Sequence, residues 1–382
     1  MFTTVNPEIQ QMKQMVRNFV EKEVEPYAQQ IEDTDEIPKH LVEQIKELGL
    51  FGMSIPEEYG GIGLGMVGKT AVLEELGRTH NGFVSLISAH TGIGSTGLVR
   101  LGSSFLKDKY LPDLAAGRKI AAFALSEPGA GSDATNLATR AEKQGDKWIL
   151  NGMKHFITNA PVADVFTVFA LTDKEKGAKG GITAFLVERD FPGFSVGKKD
   201  KKMGLRGSYT AQLIFDNCEV PDENVIGEVG MGYMAALKIL GEGRIGLAAR
   251  AVGSCDKLIE MSASYAKERV QFGNPIAANQ AIQWMLADMA TETEAARTLT
   301  QKAAYMIDEG KKAVKESSMA KLFASDVFNR VADKAVQIHG GMGYVSDYPV
   351  ERFYRDARIT KIYEGTNEIQ RLIIARNVLD EN

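Results

Sequence analysis

Cysteine is scarce in this sequence, since Cys218 and Cys255 are the only two in 382 residues. Two cysteines make no disulfide framework, and neither has the CxxC or Cys/His spacing of a metal site. Histidine is also scarce, and none of the five is paired at the spacing of metal ligands. We therefore expect both thiols to be packing residues in a reducing compartment, and we expect no metal.

The sequence also lacks a surplus of basic charge and a long apolar run. Its formal net charge is −5, so no basic field would attract a nucleic acid or an anionic membrane. No stretch approaches the ~18 uninterrupted apolar residues of a membrane span. The N-terminal MFTTVNPEIQQMK has neither a signal-peptide core nor an Arg-rich transit pattern. The expectation is a cytoplasmic protein with no nucleic-acid partner and no membrane insertion.

The chain does have a regular pattern of apolar residues. Hydrophobic residues make up 44% and charged residues 25%, which is typical of a folded globular protein, and the length predicts more than one domain. The pattern changes twice along the chain. It predicts an α+β multidomain fold, with an N-terminal helical bundle (1–119), a middle antiparallel β-barrel or sandwich (120–229) and a C-terminal helical bundle (230–382).

Local spacing predicts individual elements. A helix over 38–48 ends at Gly49. Short β-type runs fill the middle region, among them KWILNG, HFITNA, DVFTVFALT and GITAFLVE, and 144–147 has the composition of a hairpin turn. Amphipathic stretches over 281–307 and 317–338 predict helices of bundle length.

A phosphate-binding loop is the strongest rival interpretation. Residues 63–70, GLGMVGKT, match its GxxxxGK[ST] pattern, and Asp173 could be the partnering acidic residue. Such a loop must leave a buried strand, whereas 55–61 is a polar turn, so we favour a chance match. Dinucleotide-loop patterns match at three places. Only 129–134 follows a strand, and the hairpin after it is not the helix that a dinucleotide fold requires.

Four separated segments resemble the acyl-CoA dehydrogenase family, in this order: PEEYGG, ALSEPGAGSDA, AKERVQFGNPI, and QIHGGMGY with YRDARITKIYEGTNEIQR. The second and fourth are long and specific, and the short-chain, butyryl-CoA type is the most similar. The resemblance implies an α-β-α fold, FAD as cofactor, a homotetramer with FAD bridging subunits, and electron-transfer flavoprotein as acceptor. The implied reaction is dehydrogenation of short to medium straight-chain acyl-CoA to trans-2-enoyl-CoA, as in fatty-acid β-oxidation.

The resemblance also implies the FAD contacts. The hydroxyls of Ser126 and Thr158 are expected to bond the flavin edge near N5 and O4, although such residues more often satisfy strand-end backbone groups. Arg269, by itself an ordinary solvated charge, is expected to reach the FAD of a neighbouring subunit. The full set is Phe123, Leu125, Ser126, Gly131, Ser132, Phe156, Ile157, Thr158, Arg269, Phe272, Gln280, Gln337, Gly340, Gly341, Thr366 and Glu368.

The glycine-rich GGMG at 340–343 has two open interpretations. Its backbone could approach a diphosphate closely, because no Cβ stands between amide and ligand, or it could simply end a helix. We assign the neighbouring His339 to packing or capping.

Glu364 is the expected catalytic base. The reaction needs a carboxylate that removes the α proton while a hydride leaves the β carbon, and the resemblance places it in YEGT at 363–366. A helix predicted just after Thr366 would favour the ionised form, while an apolar pocket would raise the pKa of Glu364 toward working pH. For an arbitrary glutamate, a solvated surface role would be the ordinary interpretation.

The remaining implied substrate contacts are Ser132, Glu242, Gly243, Arg244, Tyr363 and Gly365. Ser132 and Arg244 are expected on the CoA side, although spacing alone fits a helix-packing ion pair for Arg244 equally well. One branch of the family carries its base at the position of Gly243. Glu242 is one residue away, and one residue turns a helix by ~100°, so it should point elsewhere.

Three alternatives to the short-chain enzyme remain open from sequence. They are a branched-chain acyl-CoA dehydrogenase, a catalytically silent acyl-CoA-binding scaffold, and the phosphate-loop nucleotidase.

Overall fold

The structure, a computed structural model, describes residues 6–380. Within them the chain runs through helices, then strands, then helices again, so the predicted fold class is confirmed. Before the first strand come α1 Pro7–Phe19, α2 Ala28–Thr34, α3 Lys39–Glu47, α4 Met66–Leu76, α5 Asn81–Ala89, α6 Thr96–Leu101 and α7 Ser104–Ala115.

Local chemistry defines the ends of these first helices. Asn6 caps α1, because its side-chain oxygen accepts a hydrogen bond from the Glu8 N–H at 3.0 Å and Pro7 occupies the first turn. Gly49 follows α3 with φ of +68°, which confirms the predicted stop. A π-helical turn at His90–Gly94 separates α5 from α6 and carries Ile93 toward the centre of the molecule.

The GLGMVGKT segment is no phosphate-binding loop. Met66 begins α4 directly after a turn, and the Lys69 Nζ is buried and donates to the Thr91 carbonyl at 2.8 Å. The carboxylate of Asp308 accepts from the Met66 and Val67 N–H groups at 2.6 and 2.9 Å. An internal anion therefore already caps the helix N-terminus that a phosphate would need.

The middle region forms one mixed sheet in the order β6-β7-β3-β2-β4-β5-β8, with β1 against β4. The predicted turn at 144–147 joins β2 to β3. The pairing is mostly antiparallel, but β1 runs parallel to β4, a departure from the all-antiparallel prediction. The strands are β1 Ala121–Ala124, β2 Arg140–Gln144, β3 Lys147–Thr158, β4 Val165–Leu171, β5 Ile182–Glu188, β6 Phe194–Lys199, β7 Thr210–Pro221 and β8 Val225–Ile226.

The C-terminal region is a bundle whose central helix, α8, is buried almost continuously from Glu242 to Cys255. Small residues such as Ala320 and Ala324 let the neighbouring helices pack closely against it. Its elements are α8 Gly232–Glu268, β9 Val270–Gln271, β10 Asn274–Pro275, α9 Gln280–Asp308, α10 Val314–His339, α11 Val350–Ile359 and α12 Asn367–Asp380.

Residues 6–380 contain neither a candidate membrane span nor a cluster of potential metal ligands. None of the helices in that range is long and apolar enough to span a membrane. The same residues contain no group of three or more potential metal ligands.

Candidate active site

A cavity of about 740 Å³ lies where the β domain meets α8 and the segment before α12. Most of the lining surface is apolar, as is usual for a small-molecule site, although polar and charged side chains also line it. Of the residues implied by the resemblance, those that line it are Phe123, Leu125, Ser126, Gly131, Ser132, Phe156, Ile157, Thr158, Arg244, Tyr363, Glu364 and Gly365.

The ends of β1 and β3 form one wall of the cavity. The His155 N–H donates to the Ser126 carbonyl at 2.9 Å, which fixes the two strand ends side by side. The β3 ladder is irregular between Lys154 and Ile157, and within that irregularity Phe156 has φ of +58°. A bulge re-aims side chains, and here it leaves the Phe156 ring 67% exposed at the cavity.

This wall fits an isoalloxazine ring. The hydroxyls of Ser126 and Thr158 have no hydrogen-bond partner in the described part of the chain, so they do not satisfy strand-end backbone groups. Nothing lies within 4 Å of the Cβ position of Gly131, so a flat ligand can approach the backbone there. A flavin ring needs apolar contacts for its faces and hydrogen bonds for its polar edge. Phe123 and Ile157 supply the first, and the two free hydroxyls supply the second.

A buried ion pair braces the loop at this wall. The Lys154 Nζ lies 2.7 Å from the Glu127 carboxylate, and it also donates to the Leu125 carbonyl at 3.1 Å. The same carboxylate accepts from the N–H groups of Ala138 and Thr139 at 2.6 and 3.1 Å. Removing either charge would leave the other buried and unpaired, so we expect the pair to hold the cofactor wall in place.

Glu364 also lines the cavity, on a tight turn. It has φ of +55° and Gly365 has φ of +87°, so two consecutive residues adopt the left-handed conformation. Strain of this kind persists at a non-glycine residue only where its surroundings enforce it. The Glu364 carbonyl accepts from Arg244 Nε and Gln370 Nε2, each at 3.3 Å, and the Gly365 carbonyl accepts from Lys321 Nζ at 2.8 Å.

The carboxylate of Glu364 is shielded from water and free to react. Its Oε2 is buried and has no hydrogen-bond partner within the described residues. Burial raises the pKa of Glu364 above its ordinary value, and the positive charges of Arg250, Lys321 and Arg244 oppose that rise. Such a balance suits a general base.

Gly243 on α8 faces this carboxylate. A Cβ at Gly243 would lie 2.7 Å from Glu364 Oε2 and 2.7 Å from Ile93 Cγ2, so glycine leaves the room that the glutamate occupies. Glu242 does not line the cavity. It is rotated away on the helix, and its carboxylate pairs with Arg100 Nε at 3.0 Å. We therefore withdraw Glu242 from the proposed substrate contacts.

The other implied cofactor residues lie outside the cavity of this chain. The segment between α8 and α9 and the end of α10 are on the surface, and the Phe272 ring is fully exposed. Thr366 and Glu368 line a separate, charged cleft beside the start of α12. The exposed residues are Arg269, Phe272, Gln280, Gln337, Gly340 and Gly341.

Sequence reasoning missed the polar residues that hold this site together: Glu127, Lys154, Lys321, Gln370 and Arg250. The sequence does contain a signal for two of them. Lys321 lies within SSMAKLFA and Arg250 within GLAARAVG, so each is a charged residue among small and apolar ones. A long charged residue at such a position must have an internal partner.

The fold and the site together define a three-domain flavin-dependent oxidoreductase. Sequence models of the acyl-CoA dehydrogenase N-terminal, middle and C-terminal domains match residues 6–118, 122–218 and 230–379. The chain therefore belongs to the acyl-CoA dehydrogenase family, an FAD-dependent family, and the predictions of family, enzyme class and cofactor are confirmed.

Two relatives illustrate the range of activities in similar chains. The chain is 50% identical to an acyl-CoA dehydrogenase of Bacillus subtilis strain 168, over 96% of this chain and 97% of that one. It is 46% identical to an NADH-dependent acryloyl-CoA reductase of Anaerotignum propionicum, over 97% and 94%.

Solved structures agree over the whole length. Butyryl-CoA dehydrogenase from Megasphaera elsdenii matches with a TM-score of 0.96 and 41% identity, covering 98% of this chain and 99% of that one. A chain in a structure of the electron transferring flavoprotein of Acidaminococcus fermentans matches with a TM-score of 0.96 and 44% identity, covering 99% of both.

Proposed function

We propose that this protein dehydrogenates short to medium straight-chain acyl-CoA thioesters to trans-2-enoyl-CoA, with Glu364 removing the α proton. One observation carries the proposal: a residue with a buried, unpaired carboxylate oxygen, Glu364, lines the same cavity as a wall suited to a flavin. Bound FAD would supply the hydride acceptor for the β carbon. A base and an acceptor on opposite sides of one carbon–carbon bond are what the reaction needs.

The residues of this chain then have separate tasks. The Ser126 and Thr158 hydroxyls would hydrogen-bond the polar edge of the flavin, and Gly365 leaves room for the thioester. The backbone N–H of Glu364 has no hydrogen-bond partner within the described residues, so it is available to the thioester oxygen, where negative charge develops as the α proton leaves. Arg244 donates to the Glu364 carbonyl and so helps to fix the conformation of this turn.

The acyl chain-length optimum tests the substrate assignment. We expect kcat/KM for unbranched acyl-CoA to peak between about four and eight carbons, because each methylene beyond the fit of an apolar pocket changes selectivity about tenfold or more. Steady-state rates with an artificial electron acceptor across a chain-length series give the answer. An optimum at long or branched acyl groups would transfer the assignment to the branched-chain or long-chain alternatives and leave the mechanism in place.

The pH dependence of kcat/KM tests the role of the carboxylate. Glu364 must be ionised to accept a proton, and burial raises its pKa above the ordinary value. We therefore expect activity to rise with pH through that raised pKa and to fall as the pH is lowered through it. Initial rates with butyryl-CoA between about pH 5 and 8 will show whether kcat/KM rises with pH in this way. A flat profile over that range would contradict the assignment.

The surface position of the cross-subunit residues supports a homotetramer with shared FAD sites. The exposed Arg269 and Phe272 cannot reach the cavity of their own chain, whereas a neighbouring subunit could receive them. Light scattering of the purified protein tests the assembly. The similarity to a chain in a structure of an electron transferring flavoprotein supports such a flavoprotein as the electron acceptor, and direct reduction of that protein tests it.

A second candidate function is the reverse direction, NADH-driven reduction of a 2-enoyl-CoA. The relative named acryloyl-CoA reductase favours it. Consumption of NADH on addition of acryloyl-CoA, with an electron transferring flavoprotein present, would support reduction as the working direction. Absence of NADH consumption, together with fast butyryl-CoA oxidation, would support dehydrogenation.

A further inference from the structure

One end of the cavity is polar, unlike most of its lining. Arg250 on α8 reaches this end, where its Nη1 donates to the Ser88 hydroxyl at 2.9 Å and to the Ser85 hydroxyl at 3.3 Å. Its Nη2 donates to the Tyr363 hydroxyl. All four side chains line the cavity. A purely aliphatic acyl tail would leave this cluster of donors without a matching group.

The buried charge of Arg250 is hydrogen-bonded to hydroxyl groups. Arg250 is 5% exposed, and no carboxylate in the described part of the chain forms an ion pair with it. Two other arginines show the usual arrangement: Arg297 pairs with Glu74, Asp256 and Glu294, and Arg355 pairs with Glu32 and Glu351. A guanidinium in this setting is stabilised only when an anion pairs with it.

Glu364 offers Arg250 a negative charge, but it shares that charge among several cations and forms no ion pair with Arg250. Arg250, Lys321, Arg244 and Lys69 all act on Glu364 as positive charges. The carbonyl of Glu364, and not its carboxylate, accepts the Arg244 hydrogen bond. A surplus of positive charge therefore surrounds the one reactive carboxylate.

The position of Arg250 matches the far end of a bound acyl chain. Gly243 lies against the Glu364 carboxylate, so it marks where the α carbon would lie. Arg250 is seven residues further along α8, two turns on the same face, which places its backbone ~10.5 Å along the helix axis. Side chains on a helix tilt toward its N-terminus, so the guanidinium is directed back toward Gly243 and the gap is shorter.

We propose that Arg250, with Ser88 and Tyr363, binds the terminal carboxylate of a short dicarboxylic acyl-CoA. The inference rests on the proposed dehydrogenation and names a substrate class for the same cavity. Glu364 would take the α proton, bound FAD would supply the acceptor for the β hydride with its electron pair, and the terminal carboxylate would remain unchanged. The product is the corresponding trans-2-enedioyl-CoA.

The test compares dicarboxylic and size-matched monocarboxylic thioesters. Succinyl-, glutaryl- and adipyl-CoA are measured against hexanoyl- and 5-methylhexanoyl-CoA, the latter with an isopropyl group in place of the glutaryl carboxylate. We expect glutaryl-CoA to exceed 5-methylhexanoyl-CoA, its matched control, in kcat/KM. Arg250→Gln should lower the dicarboxylic-to-monocarboxylic ratio by about 10²-fold, because a hydrogen bond between two charges is lost.

Two further variants and one binding measurement separate the effect of carboxylate binding from a general loss of activity. Arg250→Lys retains the charge and should keep part of the ratio, and Ser88→Ala should lower it by about tenfold. Dissociation constants measured calorimetrically in a Glu364→Gln background should follow the same order, without turnover.

An equal loss for both substrate classes in Arg250→Gln would overturn the proposal, because it would show that Arg250 only positions the Tyr363–Glu364 turn. A dicarboxylic-to-monocarboxylic ratio below one in the wild type would overturn it as well. Failure of the proposed function itself would look different, since no acyl-CoA of either class would then reduce the flavin.

Discussion

Glu364→Gln is expected to keep FAD and acyl-CoA binding but to reduce the flavin on the order of 10²–10⁴-fold more slowly. Glutamine has nearly the same size, and the contacts that hold the turn go to the carbonyls of residues 364 and 365, which the substitution retains. What is lost is the carboxylate that lies beside Gly243. Stopped-flow absorbance after anaerobic mixing with butyryl-CoA measures the rate.

Glu309→Gln is a matched control, because the same change of charge is made at an exposed residue beyond the end of α9. Calorimetric binding of acyl-CoA to both variants separates loss of chemistry from loss of affinity. Flavin reduction by Glu364→Gln at a rate similar to that of Glu309→Gln would remove Glu364 from its role.

Moving the base to α8 should restore part of the lost activity. In a Glu364→Gly background, Gly243→Glu is expected to reduce the flavin more than about tenfold faster than Glu364→Gly alone, yet to stay about 10²-fold below wild type. A Cβ at position 243 would lie 2.7 Å from the present Glu364 Oε2, so both positions serve the same place in the cavity. Rapid anaerobic reduction by a series of acyl-CoA lengths measures the recovery.

The recovery should be incomplete for a steric reason. Ile93 Cγ2 also lies 2.7 Å from that Cβ position. The Ile93 side chain, which belongs to the π-helical turn, must therefore shift when a side chain is added at position 243. Glu242→Gln is the control for an error of one residue, because Glu242 pairs with Arg100 and does not line the cavity. A folded, flavin-loaded double variant no faster than Glu364→Gly would show that the two positions do not face the same carbon.

Helices were predictable because their apolar spacing is a local property. The predicted stretches 281–307 and 317–338 correspond to α9 and α10 with ends shifted by three residues or fewer. In both helices most of the buried residues are small or aliphatic, and their spacing is visible in the sequence.

Strands were less predictable, because pairing partners are remote in sequence. KWILNG and HFITNA, treated as separate runs, are one strand, β3, that continues through Gly152 with φ of +142°. A glycine inside a strand indicates a bulge as readily as a turn. The parallel pairing of β1 with β4 joins residues more than forty positions apart, as in Ala121 with Val165, and nothing in local spacing predicts it.

The site was predictable only as far as the motif reaches. The YEGT motif predicted Glu364 as the base. The closeness of the Glu364 carboxylate to Gly243, however, depends on how α8 packs beside the turn before α12. Arg250 and Lys321 are remote from the motif, whereas Gln370 lies within the segment YRDARITKIYEGTNEIQR, and all three act through contacts that only the fold creates. A charge within a buried apolar stripe is the signal that could have found the first two.

One measurement tests the central claim most directly: anaerobic titration of the purified, flavin-loaded wild-type protein with butyryl-CoA, followed by absorbance and by mass analysis of the thioester. We predict that the oxidised flavin bleaches and that trans-2-butenoyl-CoA appears in equal amount. Flavin that stays oxidised with every acyl-CoA of four to eight carbons, while acyl-CoA still binds, would contradict the account and identify a silent acyl-CoA-binding scaffold.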